Sequence, residues 1–161
     1  MVTIKPLDRS MTGDEFKKWT FHLLNGAYAC PDAIRDYTPL VKVIKRLFDE
    51  KDNVFMSIVT DHGLVGVFGI INITKGHNAQ FVSWFIDKGS VTAGVVKNIR
   101  NFLTYCKDVY SLKRITAETA CDKHERILGI IGFKLEGRFR HGFKWHGGFR
   151  NLVRMRIIGE L

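Results

Sequence analysis

The feature that most constrains the fold is an amphipathic helix pattern between two strand patterns. The helix pattern, GVVKNIRNFLTYCK, covers residues 94–107, and its opposite face is polar. Its apolar face carries Val95, Ile99, Phe102, Leu103 and Cys106. The strand patterns NAQFVSWFID (78–87) and LKRITAETA (112–120) flank it. Two strands joined by one helix pair in parallel through a right-handed crossover, so we expect a sheet with a parallel pair.

Shorter connections join the strand patterns that come before this unit. The stretches NVFMSIVT (53–60) and LVGVFGIINIT (64–74) are separated by DHG, a tight-turn sequence, and 78–87 follows after a short gap. Strands that follow one another with such short turns pair antiparallel. The sequence therefore predicts an antiparallel meander next to the parallel pair.

The first fifty residues predict one strand and two helical regions. VTIKPL (2–7) alternates and predicts a strand. TGDEFKKWTFHLLNG (12–26) predicts a helix that Thr12 caps and Gly26 ends. PDAIRDYTPLVKVIKRLFDE (31–50) predicts a second helical region. Its apolar face carries Leu40, Val43, Ile44 and Leu47.

The last forty residues predict a short helix followed by a basic hairpin. Asp122 is a candidate N-cap with Glu125 three residues on, as in a capping box, and Gly132 is the expected left-handed stop. The strands 133–145 and 149–158 enclose the turn sequence HGG. We therefore expect a single α/β domain over residues 1–161, with a mixed, mostly antiparallel sheet of about seven strands and about four helices.

The positive charge is concentrated in the second half of the chain. The formal net charge is +9, and residues 81–161 hold fifteen Lys and Arg against seven Asp and Glu. Residues 1–80 hold ten against nine. The second half therefore attracts anions, which suits a phosphorylated cofactor, nucleic acid or an acidic protein, or serves solubility alone.

The cysteines and the apolar runs restrict the type of protein. Cys30, Cys106 and Cys121 are far apart and form no Cys-x-x-Cys pair, so neither a metal site nor a disulfide framework is expected. The N-terminal residues lack the apolar run of a secretory signal, and no stretch approaches a membrane span. We expect a cytoplasmic protein.

The element order and several short runs resemble the GCN5-related N-acetyltransferases, in particular the branch that acetylates ribosomal-protein N-termini. The runs are residues 118–120, 127–128, 132–137, 141–145 and 151–154, together with the strand 82–87. The resemblance implies a sheet splayed between its fourth and fifth strands, with acetyl-CoA in the split. It also implies acetyl transfer to a primary amine, which is a protein N-terminus, a lysine or a small amine.

In this family the cofactor lies along the fourth strand and over the loop after it. The family loop reads Gln/Arg-x-x-Gly-x-Gly/Ala, because small residues let backbone N–H groups approach a pyrophosphate at a helix N-terminus. This chain has SVTAGV at 90–95, with one glycine and no leading Gln or Arg. The implied cofactor-binding residues are Ser83, Trp84, Phe85, Ile86, Ser90, Val91, Thr92, Ala93, Gly94, Val95 and Cys121.

Two residues are candidate catalytic groups on the same resemblance. Glu118 is a candidate base for the incoming ammonium, because a protonated amine has no lone pair for attack. The alternative is a surface carboxylate paired with Arg114 or Lys113. His124 is a candidate acid for the departing thiolate, because histidine titrates near neutral pH. The alternative is a solvated histidine in the first turn of a helix.

Three positions depart from the family pattern and keep a second function open. Leu128 stands where many members have a proton-donating Tyr, Cys121 where many have Asn, and Asn151 where Asp is usual. The run from His124 to Gly132 is similar to phage internal virion proteins that have acetyltransferase-like domains with eroded cofactor loops. The alternative is therefore a non-catalytic binding or virion protein, phage-encoded, because fold alone does not establish function.

The C-terminal hairpin predicts a third possibility. Its basic residues are Arg138, Arg140, His141, Lys144, His146, Arg150, Arg154 and Arg156, interleaved with Phe139, Phe143, Trp145 and Phe149. Strict alternation would place like charges opposite each other, and an anionic partner would relieve their repulsion. Aromatic side chains stack on bases, so nucleic acid or an acidic protein is a candidate partner. The alternatives are an ordinary solvated hairpin, or an edge strand that pairs in an oligomer.

Overall fold

Seven strands form one sheet in the computed structural model, which describes residues 2–9, 37–61, 63–85, 91–145 and 148–158. The helix predicted over 12–26 lies outside these ranges. The strands are β1 (Thr3–Pro6), β2 (Val54–Thr60), β3 (Gly63–Thr74), β4 (Asn78–Phe85), β5 (Arg114–Thr119), β6 (Lys134–Trp145) and β7 (Gly148–Ile158). The described helices are α1 (Tyr37–Asp49), α2 (Ala93–Tyr110) and α3 (Asp122–Ile131).

The sheet order is β1-β2-β3-β4-β5-β7-β6. Only β4 and β5 pair in parallel, and all other neighbouring strands pair antiparallel. The predicted meander, parallel crossover and C-terminal hairpin are therefore confirmed. The α/β fold class with a mixed, mostly antiparallel sheet is confirmed as well.

The sheet splits between β4 and β5, as the resemblance implied. The two strands pair at Asn78–Arg114, Ala79–Ile115 and Gln80–Thr116, and no pairing continues beyond these positions. Both strands run on, β4 to Phe85 and β5 to Thr119. Their last residues therefore leave backbone groups along the two inner edges of a V-shaped opening.

Two apolar clusters cover the two faces of the sheet. One contains residues of α2 and α3 together with the apolar odd-numbered residues of β4, which are Ala79, Phe81 and Phe85. The other contains α1 with Phe48 and Ile44, and Trp84 packs against it from the even-numbered side of β4. Because side chains alternate along a strand, neighbouring residues of β4 belong to different layers. In the described ranges, no helix is long and apolar enough to cross a membrane.

Helix α2 forms as its periodicity predicts. Its buried residues include the predicted Val95, Ile99, Leu103 and Cys106. Thr92 is the N-cap, and its hydroxyl accepts a hydrogen bond from the Val95 N–H at 3.3 Å. The sequence pattern therefore identified the buried face of the helix, while the role of Thr92 as a cap emerged from the structure.

The N-terminus of α3 differs from the prediction. Cys121 is the N-cap and makes no side-chain capping bond, so the predicted cap at Asp122 is wrong. Asp122 is the first helical residue instead. The predicted partner Glu125 does not complete a capping box, because Arg138 binds both of its carboxylate oxygens. The predicted stop is confirmed: Gly132 has φ 120°, and its N–H donates to the carbonyls of Leu128 and Gly129.

A bulge in the C-terminal hairpin changes which basic residues face each other. The register of β6 and β7 shifts between Leu135 and Gly137. Arg138 consequently lies opposite Val153, on the face that carries α3, whereas Arg154 lies opposite Gly137. The expectation that Arg138 shares one face with Arg154 is therefore wrong. The extra residue in the bulge shifts the alternation of the strand by one position.

Candidate functional site

A hydrogen bond crosses the split on the face that carries α2 and α3. The Oγ of Ser83 on β4 lies 2.8 Å from the Nε2 of His124 in the first turn of α3. Ser83 is buried and shares its face with Phe81 and Phe85. The expected contribution of Ser83 was through its backbone, so the side-chain contact with His124 is a feature that the sequence did not reveal.

His124 is uncharged at neutral pH in this environment. Burial of the imidazole lowers its pKa from 6.5 to about 4, because a charged ring would lose its hydration. A neutral imidazole has one nitrogen that accepts and one that donates. Its Nε2 can therefore accept a hydrogen bond from the Ser83 hydroxyl. In this arrangement His124 orients the hydroxyl.

Glu118 lies at the split on the other face of the sheet. Its neighbours Ala117 and Thr119 are buried on the face of α2 and α3, so the Glu118 side chain points to the opposite side. The Nε of Arg154 donates to Oε1 of Glu118 at 2.7 Å, and a second guanidinium nitrogen contacts the same oxygen. The partners suggested by the sequence, Arg114 and Lys113, were wrong because strand register places Arg154 directly opposite Glu118.

A polar groove occupies this second face beside Glu118. It has a volume of about 600 Å³. Its lining includes Gln80, Lys113, Arg114, Thr116, Glu118 and Arg154. Arg114 donates to both oxygens of Glu136, which lies 3.6 Å from Arg156 as well. The groove is therefore lined with more cations than carboxylates.

The N-terminus of α2 has properties that a pyrophosphate site requires. Thr92, Ala93 and Gly94 are exposed small residues. Thr92 satisfies the N–H groups of Val95 and Val96, through its side chain and its carbonyl respectively. Among the described residues the N–H groups of Ala93 and Gly94 have no acceptor, so two donors at a helix N-terminus remain available to an anion.

The space around Gly94 is open. A Cβ added there would meet only the Thr92 hydroxyl, at 3.8 Å. Packing within the protein does not require a glycine at this position, so the open space is available to a ligand. The residues present thus fit a phosphate-bearing cofactor at this helix end.

The polar residues in the first turns of α2 have different partners. Asn98 donates to the Gly94 carbonyl at 2.8 Å, within the helix. Arg100 donates to the carbonyls of Ile130 and Ile131, at 2.7 and 2.9 Å, and so caps the end of α3. Lys97 lines a groove of about 550 Å³ that also includes Val91 and Ala93. Of the three, Lys97 is the best placed to meet a phosphate.

The remaining predicted site residues occupy several environments. Phe85 and Val95 are buried in the apolar cluster beneath the split. Trp84 packs against Phe48 and Phe55 in the other cluster, with ring centroids 5.9 and 6.2 Å away. Cys121 is half-buried, and its N–H donates to the Thr119 hydroxyl at 3.1 Å. Ile86 and Ser90 lie outside the described residues.

Acidic side chains balance most of the positive charge on the described side chains of the basic hairpin. Glu118 pairs with Arg154 and Glu125 with Arg138. The Arg154 guanidinium also lies 5.1 Å from the centre of the Phe139 ring, so one face of that ring is occupied. The side chains of residues 143–150 are not among those described. Within the described ranges, no group of three or more His, Cys, Asp or Glu residues is arranged to hold a metal ion.

Comparison with known proteins gives structural matches only. No protein-family model matches the chain, and no curated protein matches it in sequence. A chimera of the spermidine N-acetyltransferase SpeG from Vibrio cholerae and hSSAT has a TM-score of 0.69 at 18% identity, covering 98% of this chain and 95% of that one.

Other forms of the same neighbour agree. A mutant of Vibrio cholerae SpeG has a TM-score of 0.67 at 17% identity, covering 97% of this chain and 94% of that chain. A complex of the spermidine/spermine N-acetyltransferase SpeG with manganese ions has a TM-score of 0.63 at 18% identity, covering 98% and 92%. Together with the sheet order and the β4–β5 split, these matches show that the chain has the GCN5-related N-acetyltransferase fold.

Proposed function

We propose that the protein transfers an acetyl group from acetyl-CoA to a primary amine. The observation that carries the proposal is the β4–β5 split, with Glu118 on one face and the Ser83–His124 pair on the other. The exposed N-terminus of α2, with two N–H groups that have no acceptor in the described chain, supports a phosphate site next to it. The structural neighbours, which are named as spermidine N-acetyltransferases, support a small amine as acceptor.

Acetyl-CoA would supply an activated thioester, and the protein would supply position and proton transfer. Thr92, Ala93 and Gly94 would bind the pyrophosphate through backbone N–H groups, and Lys97 would add a positive charge. The unpaired edge of β4 near Ser83 would hold the extended arm of the cofactor. Most of the rate would come from holding the two reactants together, which can lower the barrier by about 7–11 kcal/mol.

Glu118 is our candidate for the group that removes a proton from the incoming ammonium. Arg154 occupies Oε1, and Oε2 has no partner among the described residues. That second oxygen is available to accept a proton, directly or through one water. The contact with Arg154 fixes the position of the carboxylate beside the split.

His124 would act through Ser83. With a pKa of about 4, only about one imidazole in a thousand is protonated at pH 7. We therefore propose that His124 accepts the Ser83 proton in a hydrogen bond and orients the hydroxyl, and does not serve as a charged acid. In this role the Ser83–His124 pair provides a polar contact inside an otherwise apolar layer.

The experiment that tests this function is calorimetric titration of the cofactor-free protein with acetyl-CoA. We expect micromolar binding to the wild type and none to Gly94→Trp, because the indole would fill the space beside the Ala93 and Gly94 N–H groups. The open surroundings of Gly94 allow this variant to fold. An absence of binding at millimolar acetyl-CoA would rule out the enzyme.

A second candidate function is that of a non-catalytic binding protein on this fold. The Ser83–His124 hydrogen bond favours it, because it closes the split on one face. The Thr92 hydroxyl also accepts the Val95 N–H, which leaves fewer free donors at this helix end. The same titration separates the two functions, since this candidate predicts that neither wild type nor Gly94→Trp binds the cofactor.

A further inference from the structure

We propose that the acceptor is a small amine that also carries a negative charge, a phosphate or a carboxylate, and that it binds in the groove beside Glu118. This inference rests on the proposed acetyl transfer. It assigns a substrate class different from the polyamine that appears in the names of the structural neighbours.

The groove lies on the face of the split opposite α2 and α3. Helices α2 and α3 cover one face of the split, and Glu118 opens onto the other. An amine that reaches the split from the face opposite α2 and α3 therefore passes Glu118. Arg114, Thr116 and Glu118 are alternate residues of β5, so they line the same face over a length of about 13 Å. The Glu118 carboxylate and the cations at the Arg114 end therefore line one continuous face of the groove.

The groove has an excess of positive charge. Lys113, Arg114 and Arg154 line it together with a single carboxylate, Glu118. The charge of Glu118 is already balanced by Arg154. Two cations, Lys113 and Arg114, remain in the groove itself.

The positive charge of Arg114 is only partly balanced, and not all of its N–H groups are hydrogen-bonded among the described residues. Its counter-ion Glu136 is shared with Arg156. Its Nε is buried and has no hydrogen-bond partner in the described part of the chain. Lys113 is exposed, and no side-chain partner for it lies within the described ranges. An anionic group on the acceptor would supply the counter-charge that this end of β5 lacks.

A polyamine does not match this arrangement. Spermidine carries three positive charges at neutral pH, and each would face the excess cations of the groove. Residues 10–36, which lie outside the described ranges, contain four carboxylates and three cations in the sequence, so their total does not reverse the excess. The net charge of +9 adds a long-range repulsion of the same sign.

Binding without acetyl-CoA tests the inference independently of catalysis. The ligands are two matched pairs, phosphoethanolamine with ethanolamine and γ-aminobutyrate with butylamine, and spermidine. They are titrated into the protein and followed by calorimetry and by the amide NMR shifts of β5. We expect each amine that carries an anionic group to bind about tenfold more tightly than its partner without that group, and spermidine to bind most weakly. The two pairs distinguish a phosphate from a carboxylate.

Charge variants locate the site. Lys113→Gln removes an exposed cation that the described structure leaves without a side-chain partner, and should weaken the better anionic amine about threefold to tenfold. Arg46→Gln removes the same charge from the exposed surface of α1 and should leave the affinity unchanged. Thermal melting of both variants checks that they fold.

The inference is overturned if spermidine binds more tightly than the anionic amines, or if their affinity is insensitive to Lys113→Gln. Failure of the proposed function has a different signature. In that case acetyl-CoA does not bind in calorimetry, whatever the order of the amines.

Discussion

Glu118 and Arg154 face each other across β5 and β7, and the Arg154 Nε lies 2.7 Å from the Glu118 Oε1. The two residues are 36 positions apart in the sequence, and only the register of the antiparallel strands brings them together. The pair couples the candidate base to the basic hairpin. The orientation of the candidate base thus depends on a residue that does not itself need to touch the acceptor.

This pair predicts the effects of two substitutions. Glu118→Gln should lower kcat/KM about a hundredfold, the lower end for a proton-transfer residue, because a neutral amide cannot accept the proton of the ammonium. Arg154→Gln should lower kcat/KM less than Glu118→Gln does, because the carboxylate remains and loses only the contact that orients it. It should also cost about 1 kcal/mol of unfolding free energy, because the pair is partly exposed. A kcat/KM that Glu118→Gln leaves unchanged would contradict the assignment of Glu118.

His124 predicts a loss of stability in mild acid. Its folded-state pKa of about 4 lies below the unfolded value of 6.5, so between these values the unfolded chain binds a proton that the folded protein does not. The stabilising contribution is complete above pH 6.5 and is lost as the pH falls toward 4. We expect a loss of about 1–3 kcal/mol from this residue.

Urea unfolding at neutral pH and near pH 4.5 measures this loss. His124→Gln retains a hydrogen-bonding side chain without the titration, so it should lose less stability on acidification than the wild type. The control is His77→Gln, which removes an exposed histidine. Equal acid sensitivity of wild type and His124→Gln would disprove the assignment.

Two glycines predict opposite responses to the same substitution. A Cβ at Gly69 would overlap the Val54 carbonyl oxygen and the Phe55 ring on the neighbouring strand, so Gly69→Ala should destabilise the protein by about 2–4 kcal/mol. Gly94→Ala, in open space at the start of α2, should be neutral or stabilise by a few tenths of a kcal/mol. Chemical denaturation of the two variants side by side is the measurement. Equal stabilities would show that the β2–β3 packing is looser than described.

The cysteines predict an order of chemical modification. Burial raises the pKa of Cys106 to about 12, so its thiolate is scarce at pH 8. Cys121 is half-buried at the start of α3 and should react with iodoacetamide before Cys106. Peptide mass spectrometry of the labelled native protein gives the order, and a denatured sample shows the labelling of both sites when burial is removed. Fast native labelling of Cys106 would contradict its burial.

The order of strands and helices was predictable because it depends on local patterns. The periodicity of 94–107 and the short turns between 53 and 87 each determine one element or one pairing. The resemblance then located the split, which the pairing of β4 and β5 confirms.

The contacts of the candidate site were not predictable, because they join distant parts of the chain. Ser83 and His124 are 41 residues apart, and each alone has an ordinary environment in the sequence. The partner of Glu118 depended on the β5–β7 register, and the partner of Arg138 on a bulge that strict alternation does not anticipate. The start of α3 was missed for a related reason, since Glu125 binds a distant arginine and not its own helix end.

Both ends of helix α3 are hydrogen-bonded to neighbouring elements. His124 near its start holds Ser83 of β4, and the carbonyls of Ile130 and Ile131 at its end are held by Arg100 of α2. Helix α3 thus connects β4 and α2, the strand and the helix that border the split. If the split widens, one of these hydrogen bonds has to break or α2 has to move with α3. Ligand binding at the N-terminus of α2 is therefore coupled to the hydrogen bond of the Ser83 hydroxyl.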